Sequence, residues 1–233
     1  MSVARTARER VHEEVSGEIL AVARTHLARD GGSALSLRSI ARELGMAPSA
    51  LYRYYPGRDA LLSALILSAY NALADEAERA ADAAARRGDS DAVRWLAVPR
   101  AMRRWAMAPP HEWSLIFGTP VPGYEAPQET VVPYARIAAA LSRPAVDAAA
   151  AGRLQLGQTV SVSDALADAV SPVRDALFAD MPPGKVVLVL QVWTTLIGAI
   201  SLELFGHWRN TILEPELFFD ETMAHLATEL GLA

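Results

Sequence analysis

Residues Leu35 to Leu61 read Leu-Ser-Leu-Arg-Ser-Ile-Ala-Arg-Glu-Leu-Gly-Met-Ala-Pro-Ser-Ala-Leu-Tyr-Arg-Tyr-Tyr-Pro-Gly-Arg-Asp-Ala-Leu. Ser36 is a residue suited to an N-cap, and Leu37, Ile40, Ala41 and Leu44 follow at helical spacing, with Arg38, Ser39, Arg42 and Glu43 between them. The spacing predicts a short helix with one buried stripe. Gly45 comes next, where a left-handed backbone is easy for glycine, and Pro48 opens the following segment, where its missing N–H is no loss. In the second helix Leu51 is read as inward, while Ser49, Tyr52, Arg53 and Tyr54 offer hydroxyls and a guanidinium outward, groups that suit phosphates and base edges. Pro56-Gly57 ends that helix, and Arg58 falls in the first turn of a third, where a cation opposes the helix dipole and calls for an external anion. The order is that of a helix-turn-helix, whose second helix fits the major groove of DNA. A plain helical hairpin with packed tyrosines and solvated arginines would share part of this pattern; the joint occurrence of cap, glycine, proline, aromatic run and basic helix start favours the DNA-binding reading.

The same residues carry a resemblance. Ile40-Ala41 through Gly45, then Leu51-Tyr52-x-Tyr54-Tyr55-Pro56-x-Arg58-x-x-Leu61, resembles the DNA-binding domain of the tetracycline-repressor (TetR) family of bacterial one-component regulators. Tyr54 stands where histidine is frequent in that family, and Arg58 where lysine is usual. The resemblance implies that Pro48, Ser49 and Arg53 face bases and that Ser36, Tyr52, Tyr54 and Arg58 hold the backbone, with Arg38 counted among the DNA-binding residues. Further along, Pro110-His111-Glu112-Trp113, the run Phe117 to Tyr124, and Trp193 with Gly198 resemble the regulatory domain of some actinobacterial members, sometimes called the WHG domain. Ile197 occupies the place of that domain's usual histidine, so no role of that histidine carries over.

Net charge is −5, yet residues 1–58 hold nine arginines against six acids, a balance of +3 that leaves −8 for the remainder. The basic charge lies in the module that would meet DNA. No cysteine is present, which excludes disulfides, thiolate zinc sites and cysteine nucleophiles and suits a reducing cytoplasm. The N-terminus lacks the apolar run of a signal peptide, so a cytoplasmic protein is expected. With 233 residues and 52% hydrophobic composition, the chain has ample material for a core.

The expected fold is all-α: an N-terminal three-helix helix-turn-helix domain over residues 1–58, then a larger helical ligand-binding and dimerisation domain over 59–233. A first helix is expected from about Thr6 to Arg29, burying Val11, Val15, Ile19, Val22 and Leu27, with His12 and His26 as single histidines lacking partners. A long helix follows from Arg58 to about Arg87. The next carries Trp95, Val98, Met102 and Trp105 at intervals of three and four, kinked at Pro99, and a short one spans His111 to Phe117 before a stiff loop to Pro127. Helices are expected over Pro127–Leu141 and Pro144–Leu166, although the residues from Leu154 onward also alternate like a strand, and a short turn over Val173–Asp180. The twenty residues Val186 to Phe205 would suffice for a membrane span, but Gln191, Thr194, Thr195 and Glu203 point to a buried helix from Lys185 to about Trp208 and to no membrane partner. A last helix, Glu214 to Leu230, repeats Phe219, Met223, Leu226 and Leu230. With Val189, Leu196 and Ile200 these residues are read as the seam of a four-helix homodimer interface.

No metalloprotease, nucleophile-elbow or phosphate-loop motif occurs, so no catalytic residue, metal ligand or cofactor is expected. His111 and Glu112 are adjacent on a helix and would point apart. Trp95, Trp105, Trp113, Phe117, Tyr124, Tyr134, Gln155, Gln158 and Trp193 are the candidate lining of an effector pocket, apolar with a few polar anchors, although each aromatic would serve equally as core. The expected function is a repressor that releases a palindromic operator in double-stranded DNA when a small apolar or amphipathic effector binds. The alternatives are a constitutive dimeric DNA-binding protein, and a helical enzyme that carries a helix-turn-helix by chance.

Overall fold

The structure, a computed structural model, describes residues 6–31, 35–118, 120–125, 127–154 and 161–232. Among the described residues every regular element is helical: α1 (Ala7–Asp30), α2 (Leu37–Glu43), α3 (Pro48–Leu51), α4 (Arg58–Arg87), α5 (Asp91–Met107), α6 (Pro110–Phe117), a 3-10 turn (Gln128–Thr130), α7 (Val131–Ala150), α8 (Asp164–Ala169), α9 (Ser171–Leu177), α10 (Pro183–Leu204) and α11 (Pro215–Glu229). By compactness the chain divides into Met1–Ala74 with Ala108–Ala135, and Asp75–Met107 with Arg136–Ala233.

In the first unit, α1 opens on a capping box: Glu9 N–H donates to Thr6 Oγ1 at 3.2 Å, and Thr6 N–H donates to the Glu9 carboxylate at 2.8 Å. Residues 6–14 are all exposed, so α1 begins before the core does. Val11, expected inside, is 56% exposed for that reason, whereas Ile19 and Ala23 are fully buried and Leu27 nearly so. Leu37, Ile40 and Ala41 of α2 join them, with Leu51 of α3 and Leu61, Leu62 and Leu65 of α4. The turn after α2 closes as expected. Met46 N–H donates to Ala41 O at 2.8 Å and Gly45 N–H to Arg42 O at 3.2 Å, with Gly45 at φ +65°, the paired bonds of a Schellman motif.

The second helix of the motif is shorter than expected. α3 is one turn, and from Arg53 the backbone tightens, with Arg53 N–H donating to Ala50 O and Tyr54 N–H to Leu51 O. These are bonds of 3-10 type. Tyr54 and Tyr55 turn back onto the core of this unit, and Pro56 prevents the helix from resuming.

In the second unit, α5, α10 and α11 pack on one another. Trp95, Val98 and Met102 of α5, Leu196 and Ile200 of α10, and Phe219 and Met223 of α11 are fully or almost fully buried there. Two bidentate arginines tie the trio: Arg100 to Asp220 at 2.9 and 3.1 Å, and Arg103 to Glu203 at 2.8 and 2.6 Å, with the Arg103 guanidinium 5.7 Å above the Phe219 ring. α10 is long and apolar enough to cross a membrane, but its inner face lies against α5 and α11.

The expected break at Pro144 is absent. α7 runs through it, burying Ile137, Ala140, Leu141, Pro144 and Ala148. The apolar stripe continues across the proline, and packing along it outweighs the one lost hydrogen bond. The helix stops instead at Gly152, φ +67°, where Arg153 N–H donates to Ala148 O at 2.9 Å, and α8 restarts behind the N-cap Ser163. The alternating stretch lies mostly at 155–160, outside the described residues. α9 starts two residues before the expected turn, with Pro172 in its first turn.

A Cβ at Gly45 would meet nothing within 4 Å, so substitution there is governed by backbone strain alone. Gly45→Ala is expected to destabilise the fold by about 1 kcal/mol, and Gly45→Asn by less, since asparagine tolerates the left-handed region. Thermal melts of the two variants check this; an alanine variant as stable as wild type would refute the strain.

Candidate nucleic-acid interface

Pro48, Ser49, Tyr52 and Arg53 are all exposed on α3 and the turn that follows it, while Leu51 between them is fully buried. The segment is therefore pinned by one side chain and presents the rest. Arg38 and Arg42 of α2 are exposed as well. Ser36 is half-buried and spends its hydroxyl as the N-cap of α2, accepting from Ser39 N–H. Arg58 sits half-buried in the first turn of α4, with Nη1 3.9 Å from Asp59, a separation at which the neighbouring carboxylate holds it only weakly.

The two tyrosines after Arg53 lie against α1. Tyr54 is half-buried and stacks on the exposed ring of His12, centroids 4.7 Å apart and planes 16° from parallel. Tyr55 packs on the core of the unit, and burial raises its phenol pKa. His12 thus has a partner that its place in the sequence did not reveal.

Two polar contacts of this unit also escaped sequence reasoning. Buried His26 of α1 is 2.8 Å from the Glu43 carboxylate at the end of α2. Arg24, two residues before His26 on α1, reaches two helices at once: its Nε lies 2.7 Å from Glu112 of α6, itself buried, and its Nη2 donates to Ser68 Oγ of α4 at 2.5 Å. The partners of Arg24 lie 44 or more residues away along the chain, so no local spacing announces them.

The aromatic candidates are distributed over both units. Trp113, Phe117, Tyr124 and Tyr134 belong to the first unit, Trp95, Trp105 and Trp193 to the second, and Gln155 and Gln158 lie outside the described residues. Within the first unit fully buried Trp113 leans on Phe117 at 4.5 Å, and Tyr70 sets its ring edge-on to both Phe117, at 5.9 Å, and Tyr134, at 6.3 Å. Tyr70 also donates to Ile116 O at 3.3 Å, and Tyr124 shares a 2.9 Å hydrogen bond with Ser63. Burial raises the phenol pKa of Tyr70 and Tyr134, so both are neutral near pH 7. Tyr70 is the member that sequence reasoning missed, because it reads as one more apolar position of a long helix. In the second unit Trp95 is core, and an open cleft of about 740 Å³ lies elsewhere, by Gly88, Asp91, Arg94, Gly152 and Arg153. Among the described residues no group of histidines and carboxylates is placed to hold a metal ion.

Of the expected dimer seam, Leu196, Ile200, Phe219 and Met223 are fully buried within one chain and are not available to a second copy, whereas Val189, Leu226 and Leu230 are half-buried. α10 and α11 both pack on α5; periodicity marks a buried face without saying which neighbour covers it. The apolar residues left exposed there are Leu202, Phe205, Leu213, Leu217 and Phe218.

A helix-turn-helix with an exposed polar reading segment, in a chain otherwise helical, defines a helical DNA-binding protein. Residues 19–65 match the family of bacterial regulatory proteins described as tetR family, and residues 95–226 match the tetracyclin repressor-like C-terminal domain. The HTH-type transcriptional regulators Rv1816 of Mycobacterium tuberculosis and Mb1846 of Mycobacterium bovis are each 36% identical over 215 residues, 91% of this chain and 91% of theirs. The crystal structure of SCO4313 superposes with a TM-score of 0.73 at 35% identity, covering 96% of this chain and all of that one, and a Rhodococcus protein of unknown function shares the fold at 0.67 and 24% identity, over 93% and 95% of the two chains. The chain belongs to the TetR family of DNA-binding transcriptional regulators.

Glu112→Ala is expected to destabilise the protein by about 1–2 kcal/mol, since it leaves Arg24 without its carboxylate in a part-buried setting. Urea denaturation measures this, and a variant with an unchanged midpoint would show that the pair adds nothing to the fold.

Proposed function

We propose that the chain is a cytoplasmic homodimeric repressor that releases a palindromic operator when a small apolar or amphipathic molecule binds, with residues 1–58 as reading head and 59–233 as sensing and dimerising part. The observation that carries the effector response is Arg24: it fastens α1 of the head to Glu112 of α6, and the next residue of α6, Trp113, belongs to the aromatic cluster with Phe117, Tyr70 and Tyr134. An effector that parts those rings moves α6, and the ion pair passes the displacement to α1. The effector acts by preferring the conformation that cannot dock both heads.

In this reading Pro48, Ser49 and Arg53 meet bases, and Ser36, Arg38, Tyr52, Tyr54 and Arg58 meet the phosphate backbone. Their exposure on a buried anchor supports that assignment for Ser49, Tyr52 and Arg53. The exposed Leu202, Phe205, Leu213, Leu217 and Phe218 provide the apolar surface on which a second copy would close, setting two heads one or more turns of DNA apart, roughly 34–36 Å per turn.

Arg58→Ala is expected to weaken binding to every duplex and to lower the salt slope by about one, whereas Arg53→Ala changes base preference by roughly 1–3 kcal/mol at one position. Anisotropy titrations at several salt concentrations distinguish the two, and equal losses on every sequence for Arg53→Ala would remove it from base reading. Leu217→Glu is expected to leave the folded chain intact and abolish the dimer, which sedimentation at micromolar concentration reads directly. For the effector response, a thermal-shift screen of small aromatic and amphipathic compounds is followed by anisotropy with each hit; DNA affinity unchanged by every stabilising compound would identify a constitutive DNA-binding dimer.

A further inference from the structure

α3 is a single turn, and the tight turn after it holds Tyr52 and Arg53 out while Tyr54 and Tyr55 fold back. What they fold back on is one face of α1. His12 stacks on Tyr54 almost in parallel, and Tyr55 packs beside it on the core of the unit. The end of the reading segment is thus met by the first turns of a helix 24 residues long. The part of α1 that supplies His12 buries nothing: residues 6–14 are all exposed, and the core begins at Ile19. From this extension the imidazole of His12 reaches the reading segment at Tyr54.

We propose that His12 is a positioning residue for DNA recognition: its ring clamps Tyr54 and thereby fixes the direction in which Tyr52 and Arg53 leave the turn. The proposal concerns how the reading head is aimed, and it rests on the exposed turn after α3 being the segment that meets DNA. Without the stack, the turn retains Leu51 as its apolar pin and Tyr55 packed on the core, so the head stays folded but samples more orientations. Binding must then order them, and affinity falls without the loss of any contact to DNA. Because His12 is exposed and outside the core, removing it leaves the fold intact.

The test uses the full chain and a duplex recovered from a random-sequence library by the wild-type protein, so that recovery of a tight-binding duplex establishes the DNA-binding premise before any variant is made. His12→Ala is expected to bind that duplex about two- to tenfold more weakly, the range that a lost aromatic stack allows, with faster dissociation, a cooperative melt lowered by no more than a few degrees and an unchanged salt slope. His12→Phe, which keeps the stack and discards the imidazole nitrogens, is expected to restore wild-type affinity. Wild-type affinity for His12→Ala overturns the proposal, as does failure of His12→Phe to rescue. A salt slope lowered by about one in His12→Ala would show a direct phosphate contact in place of positioning and equally overturn it.

Discussion

Leu51 is the apolar pin of a four-residue helix, and the reading head depends on its burial. A single turn cannot persist on its own hydrogen bonds in water, because nucleating a helix fixes several residues before the first bond is gained. α3 exists because Pro48 presets its first dihedral and Leu51 joins the buried core that also holds Ile40 and Leu61. The glycine turn before it and the Tyr54–Tyr55 fold-back after it then decide where the exposed side chains go. Of the four residues, the core takes one fully and leaves Pro48 and Ser49 to solvent, which is the division a recognition element requires.

The contacts that matter around the head are charged or aromatic and join helices distant in sequence. Arg24 holds α1, α4 and α6 with one guanidinium, His26 meets Glu43 across α1 and α2, and His12 meets Tyr54. A guanidinium suits the first of these, since its planar fork serves two acceptors in fixed directions where an ammonium would be a point charge. The second unit uses the same residue for the same purpose. Arg100 and Arg103 of α5 each grip a carboxylate in bidentate fashion, and Arg136 binds both Glu78 and Asp75. The abundance of arginine and the near absence of lysine thus have a structural use in this chain, where several helix pairs are locked by planar charge-assisted bonds.

Legibility followed the range of the interaction. The helix-turn-helix was readable residue by residue because cap, glycine, proline and apolar stripe are all local: Ser36, Gly45, Pro48 and Leu51 stand in the places that their chemistry predicts. α4 was readable end to end for the same reason. Pro144 misled because a proline's local penalty was set against a packing stripe that only the fold reveals, and the true stop, Ala151-Gly152, gives a weaker local signal than Pro144. The seam misled because the repeat of Phe219 and Met223 records that a face is buried and not by whom. The aromatic list mixed roles because tryptophans look alike in sequence whether they fill a core, as Trp95 does, or join a cluster, as Trp113 does.

The energies at the head share one scale. A left-handed glycine, a capping serine, an aromatic stack and a part-buried ion pair are each worth on the order of 1 kcal/mol, and none could hold the reading segment alone. A head held by several such terms is stable in sum, yet each orientation it adopts is separated from the next by only one or two of them. That is the condition under which a modest differential affinity for one conformation changes which orientation prevails. Two heads joined in a symmetric pair sharpen the consequence, because both must be aimed correctly for both half-sites to dock, and a shift too small to dislodge one head alone still breaks the register between them. The arginine that ties α1 to α6 and the imidazole that ties α1 to Tyr54 act on the same helix, so in the function proposed above α1 is where sensing and aiming would meet.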